Sequence, residues 1–366
     1  MTSVRKALLV GIDDYDYLPR TTGRSEAAHA LADVLGSQPV TAGDPIETVV
    51  LPTDPGGGAT GNAIEDAVQD ALKDCDEFWF YFAGHAATRS NDLWLLASDH
   101  DPFSRHATGL GLGELMKQIR DTYPGVPVTF ILDCPNSDII QSITVPPGHI
   151  VMTIADAPAL AVDWPKGQRE LAFTAALVKG LEGAAKDPLG RVTALSLFSY
   201  ACGVLGDATK HQPLLAGRIV GTRILRQVSG LSLADVNQLP KVFEKRDSEV
   251  TVTPDHEWPG IAQLKNGYTL ADEVVERGYT FVSRPMGWSA DQLDEYVENE
   301  IITHEQKEKQ LEQLYFQRLR DAGMLEILDK NGKKTPLFWA CLGNGRVRLT
   351  PLGQHYWQMA KEDKAV

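Results

Sequence analysis

A chain of 366 residues, 43% of them hydrophobic, is long enough for one large core and a smaller companion domain, and no apolar run approaches a membrane span. A formal charge of -14 at pH 7 opposes non-specific binding to DNA or to anionic lipid. Four cysteines (Cys75, Cys134, Cys202, Cys341) stand far apart with no C-x-x-C pair, which argues against a disulfide framework and a structural zinc site.

Met1 to Lys6 passes straight into the apolar run Ala7 to Ile12 with no small-residue cleavage site behind it, so a cytoplasmic protein is expected. Ala7–Gly11 reads as a first buried strand, and Ser25 is placed to cap a helix over Glu26–Leu35, where Ala28, Leu31, Ala32 and Leu35 recur at helical spacing. Ile46–Leu51 is a second strand. The glycine-rich stretch Pro52 to Gly61 lacks the Gly-Lys-Ser/Thr ending of a phosphate cradle and reads as a loop, with Thr60 or Asn62 capping a helix over Ala63–Lys73.

A third strand, Glu77 to Ala83, is aromatic and delivers Gly84 and His85 to its exit. Asn91 to Asp99 resembles a hairpin arm, and Gly113 to Thr122 a helix. Val128 to Leu132, entered through Pro127 and left through Pro135, is a buried strand that brings Asp133 and Cys134 to its carboxyl end. His149–Ala155 is a further strand, Glu170–Leu181 and Ala194–Leu205 are helices, and Gln212–Leu215 is a last short strand. Strand and helix alternate throughout, which predicts an α/β domain with a mostly parallel sheet covered on both faces.

Residues 223–289 read as an irregular connecting segment, broken by Pro254, Pro259 and Pro285. Beyond it, helices over Ala290–Glu300 and His304–Leu319, a strand at Met324–Leu328, a turn at Asp329–Lys334 and a terminal helix outline a winged-helix-like α+β domain over 290–366. Phe338, Trp339 and Trp357 are its expected core.

With these pieces placed, residues 5 to about 222 resemble the caspase and metacaspase family in its bacterial caspase-like branch. Ala7–Ile12 is similar to the family's first strand, Ala59–Ile64 to the start of the helix before the histidine strand, Phe80–His85 to the histidine motif, Val128–Ser137 to the cysteine strand, and Ala172–Leu177 to a late helix. The resemblance implies a cysteine endopeptidase acting on a protein or peptide substrate. His85 would be the base and general acid, Cys134 the nucleophile, and the Ala86 N–H an oxyanion donor; Asp133 would be the acid that receives an Arg or Lys side chain. It implies a role in bacterial defence or cell-death signalling, with a regulatory protein partner engaged through the C-terminal domain.

The family's string Asp-x-Cys-His-Ser-Gly stands here as Asp133-Cys134-Pro135-Asn136-Ser137-Asp138. Aligned without a gap, Asp133 and Ser137 match and Pro135 occupies the nucleophile's place, leaving Cys134 one residue early. Strand residues alternate faces, so a one-residue slip turns the thiol away from His85 unless the strand ends sooner. Proline also has no N–H to offer an oxyanion. Two functions therefore compete: an active peptidase, and a pseudo-protease that serves as a protein-binding adaptor or regulator.

Asp13, Asp14, Asp99 and Asp101 are expected as solvated loop acids, and His100 and His106 have no companions at metal spacing, so neither metal nor cofactor is assigned. Lys307, Lys309, Arg318 and Arg320, with Lys330, Lys333, Lys334, Arg346 and Arg348, could face phosphate. Glu305, Glu308 and Glu312 on the same helix oppose that, which makes DNA binding the weaker reading and protein contact the stronger.

Overall fold

The computed structural model describes residues 3–37, 46–53, 58–104, 109–154, 171–205, 213–217, 224–257, 297–298 and 303–362. These fall into two compact units, Met1–Ser229 and Gly230–Val366. The helix expected over Ala290–Glu300 lies almost entirely outside the described residues, as do His106 and residues 258–289 of the irregular segment.

In the first unit the elements run β1 (Arg5–Gly11), α1 (Arg24–Gly36), β2 (Glu47–Leu51), α2 (Gly61–Leu72), β3 (Glu77–Ala83), β4 (Ala86–Arg89), β5 (Asp92–Leu96), β6 (Gly109–Gly111), α3 (Leu112–Thr122), β7 (Val128–Asp133) and β8 (His149–Ile154). They continue with α4 (Ala172–Lys179), β9 (Arg191–Thr193), α5 (Ala194–Leu205), β10 (Pro213–Gly217) and β11 (Ile224–Gln227). The central sheet has the order β10-β8-β7-β3-β1-β2. Its strands are parallel except β10, which runs antiparallel to β8. Beside it, β4-β5-β6 form a small antiparallel sheet that continues the chain directly out of β3.

Because the strands are covered on both sides, they are apolar throughout, and alternation sorts their side chains into two layers. Leu9, Trp79, Tyr81, Ala83, Ile131 and Met152 pack with α1, α4 and α5. Leu8, Val10, Phe80, Phe82, Phe130 and Leu132 pack with α2 and α3 on the other face. There the Phe80 and Phe130 rings meet across the β3–β7 pair at 5.8 Å between centroids.

Local capping chemistry sets where two helices start. Thr60 caps α2, its hydroxyl accepting from the Ala63 N–H at 3.3 Å. The start of α1 differs from expectation: Ser25 is already inside the helix, and the cap comes from Asp13, whose two carboxylate oxygens take the Arg24 and Ser25 N–H groups at 3.0 and 3.2 Å. A residue twelve positions upstream does the work expected of a local serine, so Asp13 is a structural acid rather than a solvated one. Asp99 likewise accepts from the Gly61 N–H at 3.0 Å, and Asp14 pairs with Arg20.

The second unit contains α6 (Leu233–Val242), β12 (Glu249–Thr251), α7 (His304–Asp321), β13 (Leu325–Leu328), α8 (Leu337–Leu342), β14 (Arg346–Leu349) and α9 (Pro351–Lys361). Regular structure thus occupies part of the stretch read as irregular, and α6 opens on a capping box between Ser232 and Asp235. The three strands form an antiparallel sheet with β14 between β12 and β13. Trp357 is buried and donates to the Phe243 carbonyl at 2.7 Å. Trp339 departs from its expected place in this core: it is 57% exposed on the short helix α8. The cations considered for phosphate contact are mostly matched within the unit. Lys309 pairs with Glu312, Arg318 with Asp235, Arg320 with Asp321, Lys334 with Glu326, and Arg346 and Arg348 with Glu249 and Glu326. Among the described residues no helix is long and apolar enough to cross a membrane.

Candidate functional site

The exits of β3 and β7 lie side by side, in register from Phe78 opposite Val128 to Ala83 opposite Asp133. β3 ends at Ala83 and β7 at Asp133, so His85 and Cys134 both lie just past the paired residues, where the chains leave the sheet.

His85 is fixed from three directions. Its N–H donates to the Tyr15 hydroxyl oxygen at 2.8 Å, its ring lies against the Tyr15 ring with centroids 4.7 Å apart, and its Nε2 is 2.7 Å from the Pro19 carbonyl. A carbonyl can only accept, so Nε2 carries a proton in this contact. Gly84 is what permits this packing, since a Cβ there would run into the Tyr15 hydroxyl and the Phe82 ring. Burial pushes the Tyr15 phenol well above its ordinary range, so it remains a neutral donor and acceptor.

Cys134 continues the face of Phe130 and Leu132. It is 1% exposed and packs in the layer beneath α2 and α3. Burial raises its thiol far above the usual range, the neighbouring Asp133 carboxylate adds to the rise, and Arg24 offsets only part of it. A thiol so placed is protonated at neutral pH and lacks the electropositive, accessible surroundings of a nucleophile. No hydrogen bond joins it to His85: the histidine's recorded ring partners are Pro19 and Tyr15.

Asp133 points the opposite way, into the layer beneath α1 and α4. Its Oδ2 accepts from the Thr174 hydroxyl at 2.7 Å and the Thr174 N–H at 3.3 Å. Arg24, with a side chain only 12% exposed, reaches Asp133 Oδ1 at 3.9 Å and its backbone carbonyl at 3.4 Å. Burial is the leading influence on Asp133 and raises its carboxyl, while Arg24 and Thr174 pull it back. The Tyr81 hydroxyl, 2.9 Å from Thr174 Oγ1, extends the network. An acid available to a substrate's basic side chain would face an open pocket. This one is enclosed and already faces a guanidinium.

After Cys134 the chain turns at once. Asn136 adopts the left-handed conformation with φ 59° and ψ 16°, and its amide donates to the Ala86 carbonyl at 3.0 Å. Ser137 is buried and donates to the Ile154 carbonyl at 2.6 Å. Ala86 is itself buried in β4, opposite Leu95. The loop is thus tied both to the strand that leaves His85 and to the end of β8, and Pro135 has no N–H with which to complete an oxyanion site. Arg24, Thr174, Tyr15 and Asn136 shape this edge and were not singled out as site residues from the sequence. Their roles rest on contacts spanning 41 to 109 residues, except that Tyr15 stands in the turn leaving β1. No group of three or more His, Cys, Asp or Glu able to hold a metal occurs among the described residues.

Residues 4–217 match the family model described as the caspase domain of C14 peptidases. Among solved structures, one of pro-sf-caspase-1 is similar with a TM-score of 0.44 and 17% identity, the match covering 61% of this chain and 95% of that one. The Drosophila initiator caspase Dronc is similar with a TM-score of 0.42 and 10% identity, covering 58% of this chain and 79% of that one. No curated protein matches.

Proposed function

Because this chain belongs to the caspase-domain family, with a mostly parallel α/β sheet as expected, we propose that it is a caspase homologue that binds protein or peptide and does not cleave through Cys134. One observation carries this reading above the others. Cys134 is 1% exposed in the layer beneath α2 and α3, and no hydrogen bond joins it to His85, whose Nε2 lies 2.7 Å from the Pro19 carbonyl. Acyl transfer by this family's route needs a thiolate within reach of an imidazole that accepts its proton and returns it to the leaving amine. Here the thiol is held protonated by burial, the imidazole's N–H is engaged by Pro19, and the acid that would receive a basic side chain faces Arg24.

The C-terminal unit supports the same reading as an interaction module. We read its alternation of α6, β12, α7, β13, α8, β14 and α9, with β14 central in the sheet, as winged-helix-like. Its cations are largely paired with carboxylates, which favours a protein partner over nucleic acid.

Hydrolysis of fluorogenic Arg and Lys peptides tests the proposal. The full chain is expected to give turnover no higher than its Cys134→Ala variant. Turnover that Cys134→Ala abolishes, in a variant that keeps the wild-type unfolding temperature, would restore the peptidase reading.

A further inference from the structure

The opposite edge of the central sheet, where the strands begin, carries a cleft of about 560 Å³. α1 starts beside the exit of β1 and runs back toward this edge, so its last turn forms one wall. The stretch Arg226–Ser229 forms another, anchored where Arg5 at the start of β1 donates to the Leu225 carbonyl at 2.6 Å. Val34, Val178 and Val228 line an apolar floor, and Arg226, Lys186 and Asp33 place charges around it.

The charges are unevenly compensated. Glu182, also on the rim, is matched by Lys179 at 2.8 Å. Arg226 forms no ion pair with a carboxylate among the described residues, and the Glu182 carboxylate acts on it only through charge. Its Nη1 donates to the Val34 and Ser37 carbonyls and its Nη2 to the Ser37 hydroxyl at 2.7 Å. Val34 lies in the last turn of α1 and Ser37 just past it, so the guanidinium caps that helix end through two carbonyls and a hydroxyl. Its Nε is buried and has no acceptor. Lys186 uses one of its three donors on the Ser229 carbonyl at 2.7 Å and has no carboxylate partner among the described residues. Two cations that form no ion pair with a carboxylate, beside a valine floor, match a ligand with a carboxylate next to a branched aliphatic group.

We propose that this cleft binds the α-carboxylate end of an aliphatic amino acid or peptide, its carboxylate between Arg226 and Lys186 and its side chain on Val34, Val178 and Val228. A free amino acid would also offer its ammonium to the exposed Asp33, whereas a chain end would not. The site lies at the sheet edge away from His85 and Cys134, so it stands or falls independently of the peptidase question.

Calorimetric titration of the full chain with N-acetyl-leucine, L-leucine and leucinamide tests this. N-acetyl-leucine is expected to bind saturably, and leucinamide, which lacks the carboxylate, about tenfold more weakly or less. L-leucine binding tighter than N-acetyl-leucine would assign a free amino acid, and the reverse order a peptide chain end. The surface change Lys186→Glu is expected to weaken N-acetyl-leucine about tenfold, and Val178→Trp, which fills the floor, to abolish it. Absence of saturable binding by any of the three up to about 10 mM would overturn the proposal. So would leucinamide binding as well as N-acetyl-leucine, or affinities unchanged in both variants.

Discussion

Replacing Arg24 by methionine is expected to destabilise the fold by about 3–5 kcal/mol near neutral pH, because it leaves the enclosed Asp133 carboxylate without its cation. The size of the loss should depend on pH, and the direction follows from the carboxyl's environment. Asp133 is already raised above its ordinary value by burial, with Arg24 first among the influences that lower it. Removing Arg24 raises it further. The folded state then holds this proton more tightly than the unfolded chain does. Stability is therefore lost as pH rises from the ordinary carboxylate value through the raised one, and the loss is complete above it. Denaturant unfolding of Arg24→Met against wild type should show a deficit that is full where Asp133 is ionised and narrows as pH falls and Asp133 takes up its proton. A deficit that does not change with pH would mean that only packing was lost and that the Asp133–Arg24 pairing carries no charge energetics.

Gly11→Ala tests how the same residue is positioned. A Cβ at Gly11 would collide with the Arg24 carbonyl and press on the Ser25 backbone, and neither obstacle is a flexible side-chain tip. The chain can accommodate it only by lifting the first turn of α1, which carries Arg24 away from Asp133 and strains the two hydrogen bonds that the Arg24 and Ser25 N–H groups donate to Asp13. Overpacking of this kind costs about 1–3 kcal/mol, and more where backbone must move. Since both changes act on one contact, the double variant with Arg24→Met should lose measurably less than the sum of the singles. Strict additivity in denaturant midpoints would place the two effects in separate parts of the molecule.

The central strands were legible because each is buried on both faces. A run such as Phe78 to Ala83 has no charged residue, and Val128 to Leu132 has only the hydroxyl of Thr129, where a half-exposed strand would alternate polar and apolar residues; β1, β3, β7 and β8 fall where those runs predict. Three-residue strands such as β6 at Gly109–Gly111 and β9 at Arg191–Thr193 carry no pattern of their own, since their pairing is imposed by β5 and β11. The direction of β10 was not legible either, because Pro213 to Gly217 reads the same whether it runs with β8 or against it.

The start of α1 was misplaced because its cap is supplied by a loop acid rather than by the adjacent Ser25. Trp339 shows the reverse limit: a large aromatic on a short helix was expected inside, yet only helical phase decides which of Phe338 and Trp339 faces the core, and Trp339 faces out.

At the candidate site, the one-residue offset was visible in the string Asp133 to Asp138. The partners that make the offset matter could not be read in advance. Arg24 meets Asp133 across 109 positions, Tyr15 meets His85 across 70, and Asn136 reaches back to Ala86 across 50. Such contacts follow from the order of strands in the sheet, which no local pattern encodes.

The central claim, that Cys134 is a buried protonated thiol and no nucleophile, is tested most directly by alkylating the native chain with iodoacetamide at neutral pH and reading each cysteine by peptide mass spectrometry. Cys202, only partly buried on α5, is the internal reference. The account predicts that Cys202 is modified while Cys134 is left intact until the chain is unfolded. Native-state modification of Cys134 faster than Cys202, slowed by His85→Ala, would contradict it.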